Sequence, residues 1–196
     1  MNSSSVEKDL QKPKKLEGFP SPGLASKFLR VCWTTSYYLF YRIIPIPFFA
    51  PRRVLLRLFG AKIAPTALPY PAARIWAPWN LVMGPNSCMA NGVICYNVPP
   101  ITLAQNALVS QRSHLCSASH DFRSKRFELT AAEITISAGA WVAAEAFLGP
   151  GVTVGEEAII AARAVVNKTV PPGAVVAGNP AAIVKHRGEI KTVSEI

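Results

Sequence analysis

From residue 136 the chain places an aliphatic residue at every sixth position: Ile136, Val142, Leu148, Val154, Ile160 and Val166. The residue after each is small or suited to a turn (Ser137, Ala143, Gly149, Gly155, Ala161, Asn167). The residue four after each is again small (Ala140, Ala146, Val152, Ala158, Ala164, Val170). The same frame runs upstream through Met83, Met89 and Cys95, with Ser87 and Val93 as small partners. After a two-residue slip at Pro99–Pro100 it resumes through Leu103, Val109 and Leu115, with Ala107, Ser113 and Ser119. A period of six is neither the 3.6 of a helix nor the simple alternation of a flat strand. It describes a prism of short parallel strands, in which one apolar side chain per strand points inward and stacks on its equivalent in the next coil. The expected fold is mainly β, a parallel β-helix over residues 75–184, interrupted by an insertion at 121–133 and followed by a short tail, 185–196.

Before residue 75 the pattern differs. Residues 1–23 mix Lys12, Lys14 and Lys15 with prolines and glycines and read as a flexible basic arm. Residues 24–74 form an N-terminal helical and extended segment. Lys27–Arg42 has no breaker and is rich in aromatics, which predicts a helix with more than one apolar face. Pro45, Pro47 and Pro51 keep Ile43–Pro51 extended or turning. A shorter helix over Arg52–Phe59 groups Val54, Leu55, Leu58 and Phe59 on one face, sets Arg52, Arg53 and Arg57 elsewhere, and stops at Gly60.

Charge sharpens this division. The 196 residues carry a net charge of +10. Residues 1–74 hold 12 Lys+Arg against 3 Asp+Glu, whereas residues 75–196 hold 9 against 8. The basic character belongs to the front of the chain, and a nearly neutral solenoid is not a nucleic-acid surface. Four cysteines without a CxxC pair form neither a disulfide framework nor a zinc motif, and a reducing cytoplasm is the expected compartment. The polar start has no apolar signal region. Val31–Tyr41 is too short to span a bilayer, and the charge-free stretch Ile75–Gln111 is broken by Pro78, Pro85, Pro99 and Pro100. The aromatic, basic segment from Lys27 to Phe59 either caps the β-helix or makes peripheral contact with an anionic membrane surface at its inner face.

Several segments together resemble the hexapeptide-repeat acyltransferases, in particular the colanic-acid (exopolysaccharide) biosynthesis type related to maltose, galactoside and nodulation O-acetyltransferases. They are Leu58-Phe59-Gly60-Ala61-Lys62-Ile63, Pro78-Trp79-Asn80-Leu81, Tyr96-Asn97, Leu115-Cys116-Ser117-Ala118-Ser119-His120-Asp121, Ala140-Trp141-Val142, Pro150-Gly151-Val152-Thr153-Val154-Gly155 and Val176-Ala177-Gly178-Asn179-Pro180-Ala181. Departures are Ser137, Ala143 and Ala161, where glycine is usual, and Gly84-Pro85-Asn86 in place of Gly-Asp-Asn. The resemblance implies a left-handed β-helix, an acetyl-CoA donor, a sugar or lipid-linked saccharide acceptor, a homotrimer and no metal.

Moving an acetyl group from a thioester to a hydroxyl requires a base for the hydroxyl proton, and histidine is suited to that task near neutral pH. By the resemblance His120, which opens the 121–133 insertion, is the general base. His114, one hexad earlier, is expected at an equivalent spot on the adjacent face, and His186 lies too far along the chain to complete a three-histidine metal site. Asp121 or Glu145 either orients His120 or is solvated. Asn97 and Asp121 are candidate acceptor contacts. By position, the coenzyme groove would use Trp141, Ala144, Ala162, Asn167 and Lys168, with Lys185 near the phosphates; the ordinary alternative for each lysine is a solvated charge. Cys95 and Cys116 are expected in the core. Transfer to a non-sugar acceptor such as serine or a xenobiotic, and a non-catalytic scaffold, remain the other readings.

Overall fold

The computed structural model describes residues 17–18, which form a short strand (β1, Glu17–Gly18), and residues 23–189. Most of the arm expected over 1–23, and residues 190–196 of the tail, lie outside the described residues.

The hexad frame produces three parallel sheets that form the faces of a left-handed β-helix of about six coils. The first face stacks β2 (Lys62–Ile63), β5 (Leu81–Met83), β8 (Ile101–Leu103), β13 (Ile134–Ile136) and β16 (Thr153–Val154). The second stacks β3 (Leu68–Pro69), β6 (Cys88–Met89), β9 (Leu108–Val109), β14 (Trp141–Val142), β17 (Ile159–Ile160) and β19 (Ala174–Gly178), with β20 (Ala181–His186) antiparallel at its end. The third stacks β4 (Arg74–Ile75), β7 (Ile94–Tyr96), β10 (His114–Cys116), β15 (Phe147–Leu148) and β18 (Val165–Val166). All six inward aliphatics from Ile136 to Val166 are buried, as are their partners from Ala140 to Val170. The ladder begins before residue 75: Ile63, Pro69 and Ile75 continue the frame with Ala67 and Ala73 as small partners. A proline at an inward strand position had masked the first coil. At Gly155 an added Cβ would lie 2.5 Å from the Pro172 nitrogen, so the backbone approach there demands glycine.

The ladder has a polarity. Ala64, Leu68, Tyr70 and Trp76 donate their N–H groups to the carbonyls of Met83, Ser87, Met89 and Cys95 in the next coil. The equivalent carbonyls of every coil therefore face backward, whereas corner N–H groups such as those of Gly92, Asn106 and Arg112 donate back to Ala72, Pro85 and Asn91; the backward-facing carbonyls of the first coil have no preceding coil to accept from. The equivalent first-coil carbonyls are Ile63, Ala67, Pro69 and Ile75, and side chains of the N-terminal helices meet all four. Arg57 donates twice to Ile63 (2.9 and 2.7 Å), Arg53 to Ala67 (3.0 Å), Arg52 to Pro69 (2.9 Å) and the Trp33 indole to Ile75 (2.7 Å). Side-chain donors replace the missing coil, as buried carbonyls require.

This cap comprises α1 (Leu24–Ser36), a π-helical turn (Tyr37–Tyr41) and α2 (Phe49–Leu58). Trp33, Tyr37 and Tyr41 face inward as a packed aromatic group. On α2 the expected faces hold only in part: Leu55 and Phe59 pack on the core, but Arg52 and Leu56 are fully buried, whereas Val54 and Leu58 are exposed. The reason is the row of carbonyls, which needs donors rather than methyl groups. α2 also starts before Arg52, because Pro51 falls within the first turn, where its missing N–H removes no helical bond. Among the described residues Arg52 has no carboxylate partner; besides Pro69 it donates to the carbonyls of Ile44, Pro45 and Ile46, pinning the proline-rich turn, and burial pulls its pKa down. Arg52→Met should destabilise the fold by at least about 3 kcal/mol, since it strands several carbonyls that a charged donor satisfies. Urea unfolding followed by tryptophan fluorescence measures this, and Arg52→Lys should recover only part of the loss.

Candidate active site

Three successive coils share one corner where the turn is longer than a hexad allows. In the first it holds a 3-10 turn, Pro78–Asn80; in the second it is Asn97–Pro100; in the third it begins at Ser117. Buried polar side chains tie these turns together. The Asn97 amide accepts from the Ala77 N–H (2.9 Å) and donates to the Ala77 carbonyl (2.7 Å). The Ser117 hydroxyl lies within hydrogen-bond distance of the Tyr96 and Pro99 carbonyls. Asn97 is fully buried and its amide serves the backbone, which removes it as an acceptor contact.

From the third corner a hairpin projects, β11 (Ala118–His120) and β12 (Leu129–Ala131), paired Ala118↔Ala131 and His120↔Leu129. β1 adds to its outer edge through Glu17↔Ala131. Val98, Ala118 and Ala131 form a separate small core beneath it, flanked by Tyr96 and Leu129. The hexad frame is interrupted here. Ser113 is a buried corner residue, but Ser119, expected as its successor, is exposed on the hairpin. His114 and His120 are consequently not equivalent: one lies on a solenoid face, the other on the projecting arm.

His120 is exposed, and its Nδ1 lies 2.6 Å from the Phe127 carbonyl across the hairpin. A carbonyl can only accept, so Nδ1 carries the hydrogen and the Nε2 lone pair faces outward as a proton acceptor. Phe127 sits at φ +48°, a left-handed conformation uncommon for a bulky residue. That turn aims its carbonyl at the imidazole. Neither carboxylate considered from the sequence does so. Asp121 Oδ1 accepts from the Arg123 N–H (3.0 Å) and its guanidinium (3.1 Å), which holds the Asp121 carboxyl below the ordinary range. Glu145 is clamped between Arg163 (2.7 Å) and Arg112, which lower its pKa likewise. The orienting group is a backbone carbonyl, invisible to a search for acidic side chains.

A groove of about 570 Å³ opens between the cap and the third sheet, lined by Trp33, Tyr37, Tyr38, Trp76 and Tyr96 with Arg74, His114 and Cys116. Its lining ends at Cys116, two residues before the hairpin that carries His120. Cys95 is core as expected, whereas Cys116 is half-buried with its thiol on the Ala118 carbonyl. His114 packs edge-on against Phe147 and burial pulls its pKa down.

The remaining candidates lie on the last coils. Trp141 is partly exposed and donates its indole N–H to Ser110 (2.9 Å). Ala144 and Ala162 occupy successive coils at one corner, where Arg163 bonds the Ala144 carbonyl. Asn167 and Lys168 follow β18 at the next corner, with the Asn167 amide against Gly149. Lys185 is exposed on β20 opposite Val175. Among the described residues no three His, Cys, Asp or Glu side chains group as metal ligands, and His186 is the last residue of β20.

No protein-family model matches the chain. It is 38% identical over 138 residues to WcaF of Escherichia coli (strain K12), a protein assigned to colanic acid biosynthesis as an acetyltransferase. That match covers 70% of this chain and 76% of WcaF. It is 31% identical over 86 residues to the galactoside O-acetyltransferase of the same organism, 44% of this chain and 41% of that enzyme. Among solved structures it resembles a hexapeptide-repeat acetyltransferase of Vibrio cholerae O1 biovar eltor complexed with acetyl coenzyme A. There the TM-score is 0.76 at 25% identity, covering 87% of this chain and 93% of the other. The chain belongs to the hexapeptide-repeat acetyltransferase family, enzymes that take their acyl group from acetyl-CoA.

One pH dependence follows from the site's surroundings. The fold favours neutral His114, so the unfolded chain binds its proton more readily as pH falls below about 6.5. Stability is eroded from there downward, and this contribution is fully lost below the depressed folded-state value. His114→Gln should lose less thermal stability than the wild type between neutral pH and about pH 5. Parallel melting-temperature curves for the two proteins would show that His114 contributes nothing to acid sensitivity.

Proposed function

We propose that the protein transfers the acetyl group of acetyl-CoA to a hydroxyl of a sugar or saccharide precursor, with His120 as general base. The observation that carries this reading is the bond from His120 Nδ1 to the Phe127 carbonyl, which leaves Nε2 free to take a proton. Bound acetyl-CoA supplies an activated thioester. The acceptor hydroxyl passes its proton to Nε2 as its oxygen bonds to the thioester carbon. The carbon–sulfur bond then breaks, and the departing sulfur recovers that proton from the imidazolium. No cysteine takes part. Burial pushes the Cys95 and Cys116 thiols up, away from the nucleophilic thiolate.

A sugar acceptor is supported by the names of WcaF and of the galactoside enzyme. Asp121, adjacent to His120 and held by Arg123, is the acceptor contact in this reading. The coenzyme would run along Trp141, Ala144 and Ala162 toward Asn167 and Lys168, with Lys185 toward its phosphates, where cations suit a polyanion. Ala144 and Ala162 lie at one corner of the prism, and Asn167 and Lys168 at another. A groove using both is completed by packing prisms side by side, which supports a homotrimer.

His120→Ala should lower turnover between about a hundredfold and ten-thousandfold. Release of the coenzyme thiol from acetyl-CoA in the presence of a panel of mono- and oligosaccharides measures it. A wild-type protein that acetylates none of them, or a variant as fast as wild type, would overturn the proposal.

A further inference from the structure

The donors that close the solenoid occupy only one side of the cap. On α1, Trp33 faces inward, whereas Leu24, Phe28 and Val31, at i, i+4 and i+7, lie on the opposite face and are 83%, 71% and 64% exposed. Phe40, Ile43 and Phe48 continue this exposure through the π turn and the proline-rich turn. Of the 19 exposed large hydrophobic residues described, 12 fall within residues 24–58. Isolated exposed apolar groups are ordinary, but this concentration is not.

Charge identifies what covers the face. Residues 18–120 contain no aspartate or glutamate, and Lys27 and Arg42 are exposed among the apolar groups. A second copy meeting this face with the same face would oppose cation to cation. The apolar groups come from a helix, a π turn and a proline-rich turn without common spacing, relief that fluid acyl chains fill more readily than a folded partner. No helix among the described residues is long and apolar enough to cross a membrane, so the geometry is that of an element lying in the interface. We propose that the outer face of the cap, residues 24–48, docks on a bilayer containing anionic phospholipid, its aromatics at the headgroup boundary and its cations on the phosphates. Capping and docking use opposite sides of the same segment. The inference is independent of acetyl transfer.

Flotation of the full chain with vesicles tests it directly. The protein should rise with phosphatidylcholine–phosphatidylglycerol vesicles, remain below with phosphatidylcholine alone, and be released by added salt. Lys27→Glu combined with Arg42→Glu should weaken binding by about fivefold or more for each site changed. Phe28→Ser combined with Val31→Ser should weaken it by at least about tenfold, with the melting temperature unchanged because both side chains already face water. Three results would overturn the proposal. They are equal flotation with neutral vesicles, flotation indifferent to both double variants, and a fall in oligomeric mass by light scattering in the serine variant, which assigns the face to another copy.

Discussion

The structure depends on the direction of its hydrogen bonds. Each coil turns one set of carbonyls back toward N–H groups of the coil before it, so the first coil ends in carbonyls that water or donors must satisfy. An arginine fork suits this role better than a lysine, because it presents several N–H groups in a fixed plane. Three arginines on one short helix and a single tryptophan therefore stand where a preceding coil would have been. This accounts for part of the charge asymmetry between the two ends of the chain: the carbonyl end of a parallel ladder calls for cations.

The rest of the architecture follows from repetition. One methyl-rich side chain per strand and one small residue per corner suffice for a continuous core, and no coil is stable alone. Repetition also makes departures conspicuous. The corner that lengthens over three successive coils is the place from which the hairpin leaves, and its turns are sewn to one another by Asn97 and Ser117. A rigid prism thereby holds a projecting arm at a defined height.

Much of this was legible in the sequence, because a six-residue period is a property of side chains. The three sheets, the insertion after His120 and the breaker-free N-terminal helix were all visible as patterns. The first coil was not, because Pro69 stands where an aliphatic was sought. On α2, Leu55 and Phe59 face the core as their pattern suggests, but the burial of Arg52 answers to carbonyls, which leave no trace in a hydrophobic pattern. The same holds at the candidate site. A search for a carboxylate behind His120 proposes Asp121 or Glu145, yet both are held by arginines and the imidazole is met by the Phe127 carbonyl. Asn97, an acceptor contact by the resemblance, is instead a buried amide that bridges two turns with both of its ends.

The capped end bears also on what the molecule avoids. A parallel ladder with an open end is a template: its bare carbonyls could accept the forward-pointing N–H groups of another prism, and prism upon prism would grow without closure. The arginine row blunts that end with charge as well as with donors, so two such ends repel. Loss of the row would then do more than loosen one domain. It would open a route from a single prism to a filament.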